Sequence, residues 1–379
     1  MIPVVISLTF LLLTGSLAFV PFVTRRTELF GVTIPIAAWG NEECRRLRAS
    51  YRDRALGLGV VFTAAAALGS AFLPLDTAVG LVFFILAMAL YMVICFALYL
   101  ARHRRAKKLK AELGYSMEGN PGVVVVDTNP PQRDSLSPYW LLLYPVIPAL
   151  TILGIMLVWP YAPDPIPLHY GLDGIPDRFI AKTPGAIGIM LFPQVLLLLI
   201  FALTYLLARN AKRQIDAGSA ETSRQQGRRF RRITSASLIF GGVLLGVYLG
   251  ALEICMLLNI GYKIIMGSSI GLLVLVGAGI ALMMFFVGQG GSRIPVPSDQ
   301  SDLSPGENSP VGSPRDDDRY WKLGQFYCNP KDPAVFVEKR FGVGFTVNIA
   351  RPGGWIFLAG ILIIIAGSIV LAVVRDWHL

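Results

Sequence analysis

The sequence predicts an all-α polytopic membrane protein of about eight transmembrane helices, N-out/C-out, with a small cytoplasmic β module. Three observations predict it. The chain is 54% hydrophobic and only 15% charged, too apolar for an ordinary soluble fold. Eight apolar runs, near 2–23, 55–75, 77–101, 139–159, 185–207, 234–258, 266–287 and 354–374, are each about 20 residues or more, the length that crosses a hydrocarbon core. The loops between them alternate strictly in basic content. Those after the first, third, fifth and seventh runs are crowded with Arg and Lys, whereas the opposite side holds only Arg178, Lys182, Lys263 and Arg375. Basic loops stay in the cytoplasm, so both termini are expected outside.

The first run has no basic leader, and its charges, Arg25 and Arg26, follow it. It therefore reads as an anchor and not as a cleaved signal peptide. After Leu29-Phe30-Gly31-Val32-Thr33-Ile34-Pro35 comes a basic segment from about Asn41 to Arg54, in which Cys44, Leu47 and Tyr51 recur at helical intervals. This predicts a surface helix feeding into the second run. Only Pro74-Leu75-Asp76 separates the second run from the third, a tight helical hairpin. The third extends through His103 into a Lys/Arg-rich helix, and Val123–Val126 reads as a short strand.

Pro145 and Pro148 predict a bend in the fourth run. Gly242, Gly246 and Gly250 form one face of the sixth, a surface for close approach of another helix, and Gly267 and Gly271 repeat the pattern in the seventh. Residues 290–317 are rich in Ser, Pro, Gly and Asp and read as a linker. Residues 318–353 alternate aromatic and polar side chains about Asn329-Pro330-Lys331-Asp332-Pro333, a hairpin or meander too small to be stable alone. The expected divisions are 1–138, 139–207, 208–289, 290–317, 318–353 and 354–379.

The chemistry gathers in residues 160–183, a Pro/Gly-punctuated stretch between the fourth and fifth runs. Pro167, His169, Gly174, Asp177 and Lys182 have the spacing Pro-x-His-x4-Gly-x2-Asp-x4-Lys. The pattern resembles the loop of the membrane family that includes the SdpI toxin-immunity protein, with departures at Gly171 and at Ile180-Ala181. The segment Trp321-Lys322-Leu323-Gly324 … Lys339-Arg340-Phe341-Gly342-Val343 resembles a C-terminal module attached to other bacterial membrane proteins of this type. The SdpI resemblance implies a non-enzymatic role in immunity to, or sensing of, an extracellular peptide or envelope stress. It also implies a bacterial cytoplasmic membrane as the location.

Glu253 is the one acidic residue well inside an apolar run, where an ionisable group is costly and points to function. Arg178, Lys182, Asn259 and Lys263 are its expected partners, and a hydrated interfacial carboxylate is the plainer alternative. The ligand-binding candidates are thus His169, Asp173, Asp177, Arg178, Lys182 and Glu253. His169, Asp173 and Asp177 are four apart, but Gly171, Gly174 and Pro176 oppose a helix there, so neither a metal site nor a cofactor is expected. Gly267-Ser268-Ser269-Ile270-Gly271 matches Gly-x-Ser-x-Gly without a histidine base or a strand–turn–helix setting. No enzyme motif is expected to act.

The expected partners are membrane lipids, an extracellular peptide and a cytoplasmic regulator held at the basic loops. Topology and anionic lipid explain the formal charge of +10 without nucleic acid. A proton-coupled transporter using Glu253 is the alternative function.

Overall fold

The computed structural model describes residues 2–73, 78–114, 134–170, 175–211, 220–296 and 317–363. It is mostly helical, with four small two-stranded sheets among the described residues. The helices are α1 Ile2–Val23, α2 Glu42–Phe72, α3 Ala78–Glu112, α4 Leu143–Val158, α5 Pro184–Asn210, α6 Ala220–Leu257 and α7 Tyr262–Phe286. A shorter apolar helix, α8, covers Pro352–Ile363. Six helical segments are long and apolar enough to cross a membrane: Ile6–Val23, Val82–Glu112, Pro138–Tyr161, Pro184–Asn210, Glu221–Leu257 and Tyr262–Gly291.

Their outward faces carry large apolar side chains, such as Leu86 on α3, Leu157 on α4 and Ile264 on α7. Contiguous apolar surface on this scale does not suit water, whereas helices satisfy every backbone group within lipid. The chain is a multi-pass membrane protein. Of the other two expected runs, 55–75 is helical to Phe72 within α2, and 354–374 is described only as far as Ile363. The tight turn at 74–76, the strand at 123–126 and the rest of the last run lie outside the described residues.

Two three-helix units organise the spans. In the first, α1, α2 and α3 bury Phe10 against Phe62, Phe84 and Tyr91. The basic segment expected as a surface helix is the first half of α2 itself. Asn41 caps it by accepting the Glu43 N–H at 2.8 Å, and Glu42 and Glu43 suit its positive end. Cys44, Leu47 and Tyr51 are buried as their spacing requires.

In the second unit, α6 packs on both α4 and α5. The glycine face explains this closeness. A Cβ on Gly242 would overlap the Tyr144 hydroxyl, one on Gly246 would lie 2.9 Å from a Leu198 methyl, and one on Gly250 would lie 2.7 Å from Gln194 Nε2. Gly267 and Gly271 in α7 behave differently, since a Cβ on either meets open space; that stripe approaches no other helix among the described residues. Pro145 falls in the first turn of α4, where its missing N–H costs no helical bond, and Pro148 lies within the helix.

At one end of the bundle, β3 (Ile166–Tyr170) and β4 (Pro176–Ile180) pair antiparallel between α4 and α5. The opposite end is closed by a cap that draws on the whole sequence. It contains β1 (Glu28–Leu29) with β2 (Val32–Thr33), β5 (Trp321–Lys322) with β6 (Phe326–Tyr327), and β7 (Phe336–Glu338) with β8 (Phe345–Val347). Three short turns meet there. Phe30-Gly31 and Leu323-Gly324 both have positive φ, and Gly342 has φ 93°. The Tyr99 hydroxyl of α3 donates to the carbonyls of Phe30 (3.2 Å) and Leu323 (2.9 Å), and His103 Nδ1 lies 2.8 Å from the Phe30 carbonyl. The Phe341 ring stacks on Phe30 at 5.6 Å and tilts against Tyr99 at 4.5 Å. Phe30-Gly31-Val32 and Phe341-Gly342-Val343 share a tripeptide, and their turns are brought ring to ring.

The small β module depends on this docking. Inside it, the buried Asn348 ties the loops together beside a small core of Trp321, Tyr327, Ala334 and Val337. Its Oδ1 accepts from the N–H groups of Asn329 (3.0 Å) and Ala350 (3.2 Å), and its Nδ2 donates to the carbonyls of Asn329, Asp332 and Ala334. Below the module, Arg340 is almost wholly enclosed. It bonds Asp318 at 2.5 Å and the Gly31 carbonyl at 3.3 Å, and lies 3.6 Å from Glu28. Lys110 of α3 holds the other Asp318 oxygen at 2.7 Å. The start of the expected linker is packed as well. Gln289 bonds the Lys339 and Gly344 carbonyls, and Ile294 is buried against Phe230. Residues 297–316, the rest of that linker, lie outside the described residues.

Burial alone raises the Asp318 pKa, but Arg340 and Lys110 outweigh it and hold the carboxyl below its usual value. A depressed folded pKa stabilises above the unfolded value, near 3.9, and the benefit is lost as pH falls through the folded pKa. Acidification below about pH 4 is therefore expected to loosen the cap. Thermal unfolding against pH checks this, and Asp318→Asn should flatten the acid limb.

Candidate functional site

The candidate site is the β3–β4 hairpin and the helix ends beneath it. The Pro/Gly-punctuated stretch, in which a helix was not expected, forms two strands. Ile166, Leu168 and Tyr170 alternate along β3, with Ile166 fully buried, and that period of two is the strand signal. The register pairs Ile166 with Ile180, Pro167 with Phe179, His169 with Arg178 and Tyr170 with Pro176, with irregularities beside His169. Ile166 and Ile180 face a cluster of Ile155, Ala186, Met190, Leu191 and Leu257, so the hairpin is seated on α4, α5 and α6.

The candidate residues fall into distinct places. His169 is exposed and lies opposite Arg178, which is half-buried. Lys182 is a brace: its Nζ donates to the Ala162 carbonyl at 2.7 Å, its N–H donates to Asp164 Oδ1 at 3.1 Å, and its ammonium lies 5.8 Å from the Trp159 ring. Asp177 lies on β4. Asp173, together with Gly171 and Gly174, lies outside the described residues. Ile175 and Phe179 present exposed apolar surface at this end. Among the described residues, no three His, Cys, Asp or Glu side chains converge as a metal site would need.

Residues 146–193 match a domain of unknown function (DUF1648), which spans α4, the hairpin and the start of α5. Residues 330–355 match a family of unknown function (DUF5808), the latter part of the capping module. These are two recognised segments in one membrane chain. No curated protein and no solved structure matches the chain. The first segment contains the loop on which the SdpI resemblance rests, and neither description carries an activity.

Glu253 does not join the hairpin as expected. It is 8% exposed and its Oε2 has no hydrogen-bond partner among the described residues, while Lys182 is committed to Ala162 and Asp164. Asn259 is instead 3.5 Å from the Tyr170 hydroxyl. The reason lies in helix geometry. Gly246, Gly250, Glu253 and Leu257 recur at intervals of four, three and four, so they share the α6 face toward α4 and α5.

That face holds a polar seam the sequence reading missed. Fully buried Gln194 of α5 donates to Thr151 Oγ1 of α4 and to the Gly246 carbonyl, both at 2.9 Å, while its Oε1 has no partner among the described residues. A lone Gln in the run Phe192-Pro193-Gln194-Val195-Leu196 was the available signal, because a buried amide in lipid needs partners. Glu253 lies between this seam and the apolar cluster under the hairpin. Two unpartnered acceptors within one helical unit can take up a proton or a polar group.

Proposed function

We propose that this is a bacterial multi-pass protein of the SdpI-like type, with eight spans and both termini outside the cytoplasmic membrane. It acts without catalysis in immunity to, or sensing of, an extracellular peptide or envelope stress. The observation that carries the reading is the division of the bundle's two ends. One bears a rigidly seated hairpin with exposed His169, Ile175 and Phe179. The other gathers the basic loops and the capping module, a surface suited to a cytoplasmic regulator.

Exposed aromatic and apolar side chains beside Arg178 suit an amphipathic or membrane-inserting peptide. The glycine-faced α6 runs from beneath the hairpin to the cap and is the rigid element able to connect them. Reporters fused near residue 175 should read outside, and those near 120, 220 and 308 inside. A cytoplasmic signal at 175 overturns the reading.

A second reading, proton-coupled transport, draws on Glu253 and the unpartnered Gln194 oxygen. Purified protein in liposomes separates the two. Glu253-dependent movement of protons or solute supports transport, and no flux is expected under the sensing reading. Glu253→Gln removes a carboxylate that lacks a partner at Oε2, so it should leave insertion intact and the melting temperature equal or higher. If the seam relays binding, the same variant abolishes protection against peptide; wild-type protection reduces Glu253 to local solvation.

A further inference from the structure

A second site lies at the capped end, away from the hairpin. A cavity of about 540 Å³ opens between the last turns of α5, the first half of α6 and the β module. Leu207 of α5, Leu238 of α6, Met283 of α7 and Phe357 of α8 line it on the bundle side, and Phe336 and Lys339 on the module side. The Phe357 ring meets Phe336 edge-on at 5.1 Å, which closes the wall between α8 and β7. Thr204 also lines the cavity and is exposed, next to Leu203, which is 50% exposed. The cavity therefore reaches the outer, lipid-facing surface of α5.

Its depth follows from the helices. The lining begins at Ala208, one residue before Arg209, and at Phe230 of α6, just before Arg231 and Arg232. From Phe230 it continues to Leu238, about 12 Å along the helix axis. The cavity thus runs from the charged helix ends into the apolar layer, and its walls there suit hydrocarbon.

Lys339 is the one charged residue of the lining among the described residues. Its neighbours in sequence are paired, Glu338 with Arg25 and Arg340 with Asp318. Lys339 is exposed, and its ammonium has no partner among the described residues. Its backbone is fixed, because its N–H donates to the Gly344 carbonyl at 3.0 Å and its carbonyl accepts from Gln289 Nε2 at 3.2 Å. A rigid turn therefore presents a single cation at the rim of an apolar cavity, level with the membrane edge. A purely apolar occupant would leave that cation unmatched, and a soluble anion would leave the apolar walls empty. An anionic lipid satisfies both, with its headgroup at the basic rim and a chain in the cavity.

We propose that this cavity binds one anionic phospholipid of the leaflet at the capped end, with its phosphate at Lys339 and an acyl chain between α5, α6 and α8.

The test is native mass spectrometry of the full-length protein released from nanodiscs of equal phosphatidylcholine and phosphatidylglycerol. The wild type should retain one phosphatidylglycerol in preference to phosphatidylcholine, whose choline brings a positive charge to Lys339. Lys339→Gln should lower that preference roughly tenfold, the loss of one charge-assisted contact. Ala208→Phe puts a ring into the apolar part and should displace the bound lipid. Lys331→Gln removes an exposed lysine of the module that does not line the cavity, and should change nothing. The proposal fails if the wild type shows no preference, or if Lys339→Gln behaves as Lys331→Gln does. It also fails if Ala208→Phe retains phosphatidylglycerol as the wild type does.

Discussion

Arg340→Met is expected to lower stability by about 3–5 kcal/mol, the cost of removing one partner from a buried ionic cluster. The guanidinium is 1% exposed, and Glu28 beside it is equally enclosed. Without Arg340, Glu28 keeps a buried charge and Asp318 retains Lys110 and the Thr33 N–H. The damage should therefore be local to the cap, with helix content unchanged and the module more open to protease. Thermal unfolding and limited proteolysis measure both. Adding Glu28→Gln to Arg340→Met should recover part of the loss, because it removes the buried charge that Arg340 balances. A single Arg340→Met variant that melts as the wild type does contradicts the account of the cap.

Gly31→Ala is the second large effect. Gly31 has φ +74°, a conformation that costs an L side chain about 1–2 kcal/mol. Its Cβ would overlap the backbone of Gly324, whose Cα would be only 2.7 Å away. Backbone cannot rotate aside as a side chain can, so overpacking adds about 1–3 kcal/mol. Gly324→Ala should be similarly harmful, since its Cβ would lie 2.7 Å from the Tyr99 hydroxyl and 2.8 Å from the His103 ring. Gly40→Ala meets nothing within 4 Å and should stay within about 0.5 kcal/mol of wild type. Comparing the melting temperatures of the three variants checks the claim.

The parts legible in the sequence were those carried by periodicity and local chemistry. Apolar run length revealed the spans, and the four-residue spacing of Gly242, Gly246 and Gly250 revealed a close helix contact. The same spacing in Gly267 and Gly271 meant nothing, because α7 has no neighbour on that face among the described residues. A motif of small residues permits approach without causing it. The hairpin was hidden because Pro167 and Pro176 fall within its strands, where proline is ordinarily disfavoured, and mask the Ile166-Leu168-Tyr170 alternation.

The cap was hidden for another reason. Arg340, Glu28 and Asp318 are scattered along the chain, and no local signal links an arginine after β7 to a glutamate before the first turn. The Phe-Gly-Val tripeptides at 30–32 and 341–343 are too short to signal a contact, and it is Tyr99 and His103 that hold their turns together. Glu253 was legible as the one acidic residue well inside an apolar run, whereas its surroundings were not, because they depend on which face of α6 turns toward α4 and α5.

The most direct test of the sensing role is survival of host cells challenged with envelope-active peptides. The comparison is between cells lacking the protein, cells with the wild type, and cells with Ile175→Ser/Phe179→Ser. Those two side chains are exposed at the hairpin end, so the variant should fold and insert normally. The account predicts that wild type protects against at least one such peptide and that the double variant loses protection while remaining in the membrane. Equal survival of all three strains against every peptide, with the protein present, would contradict it.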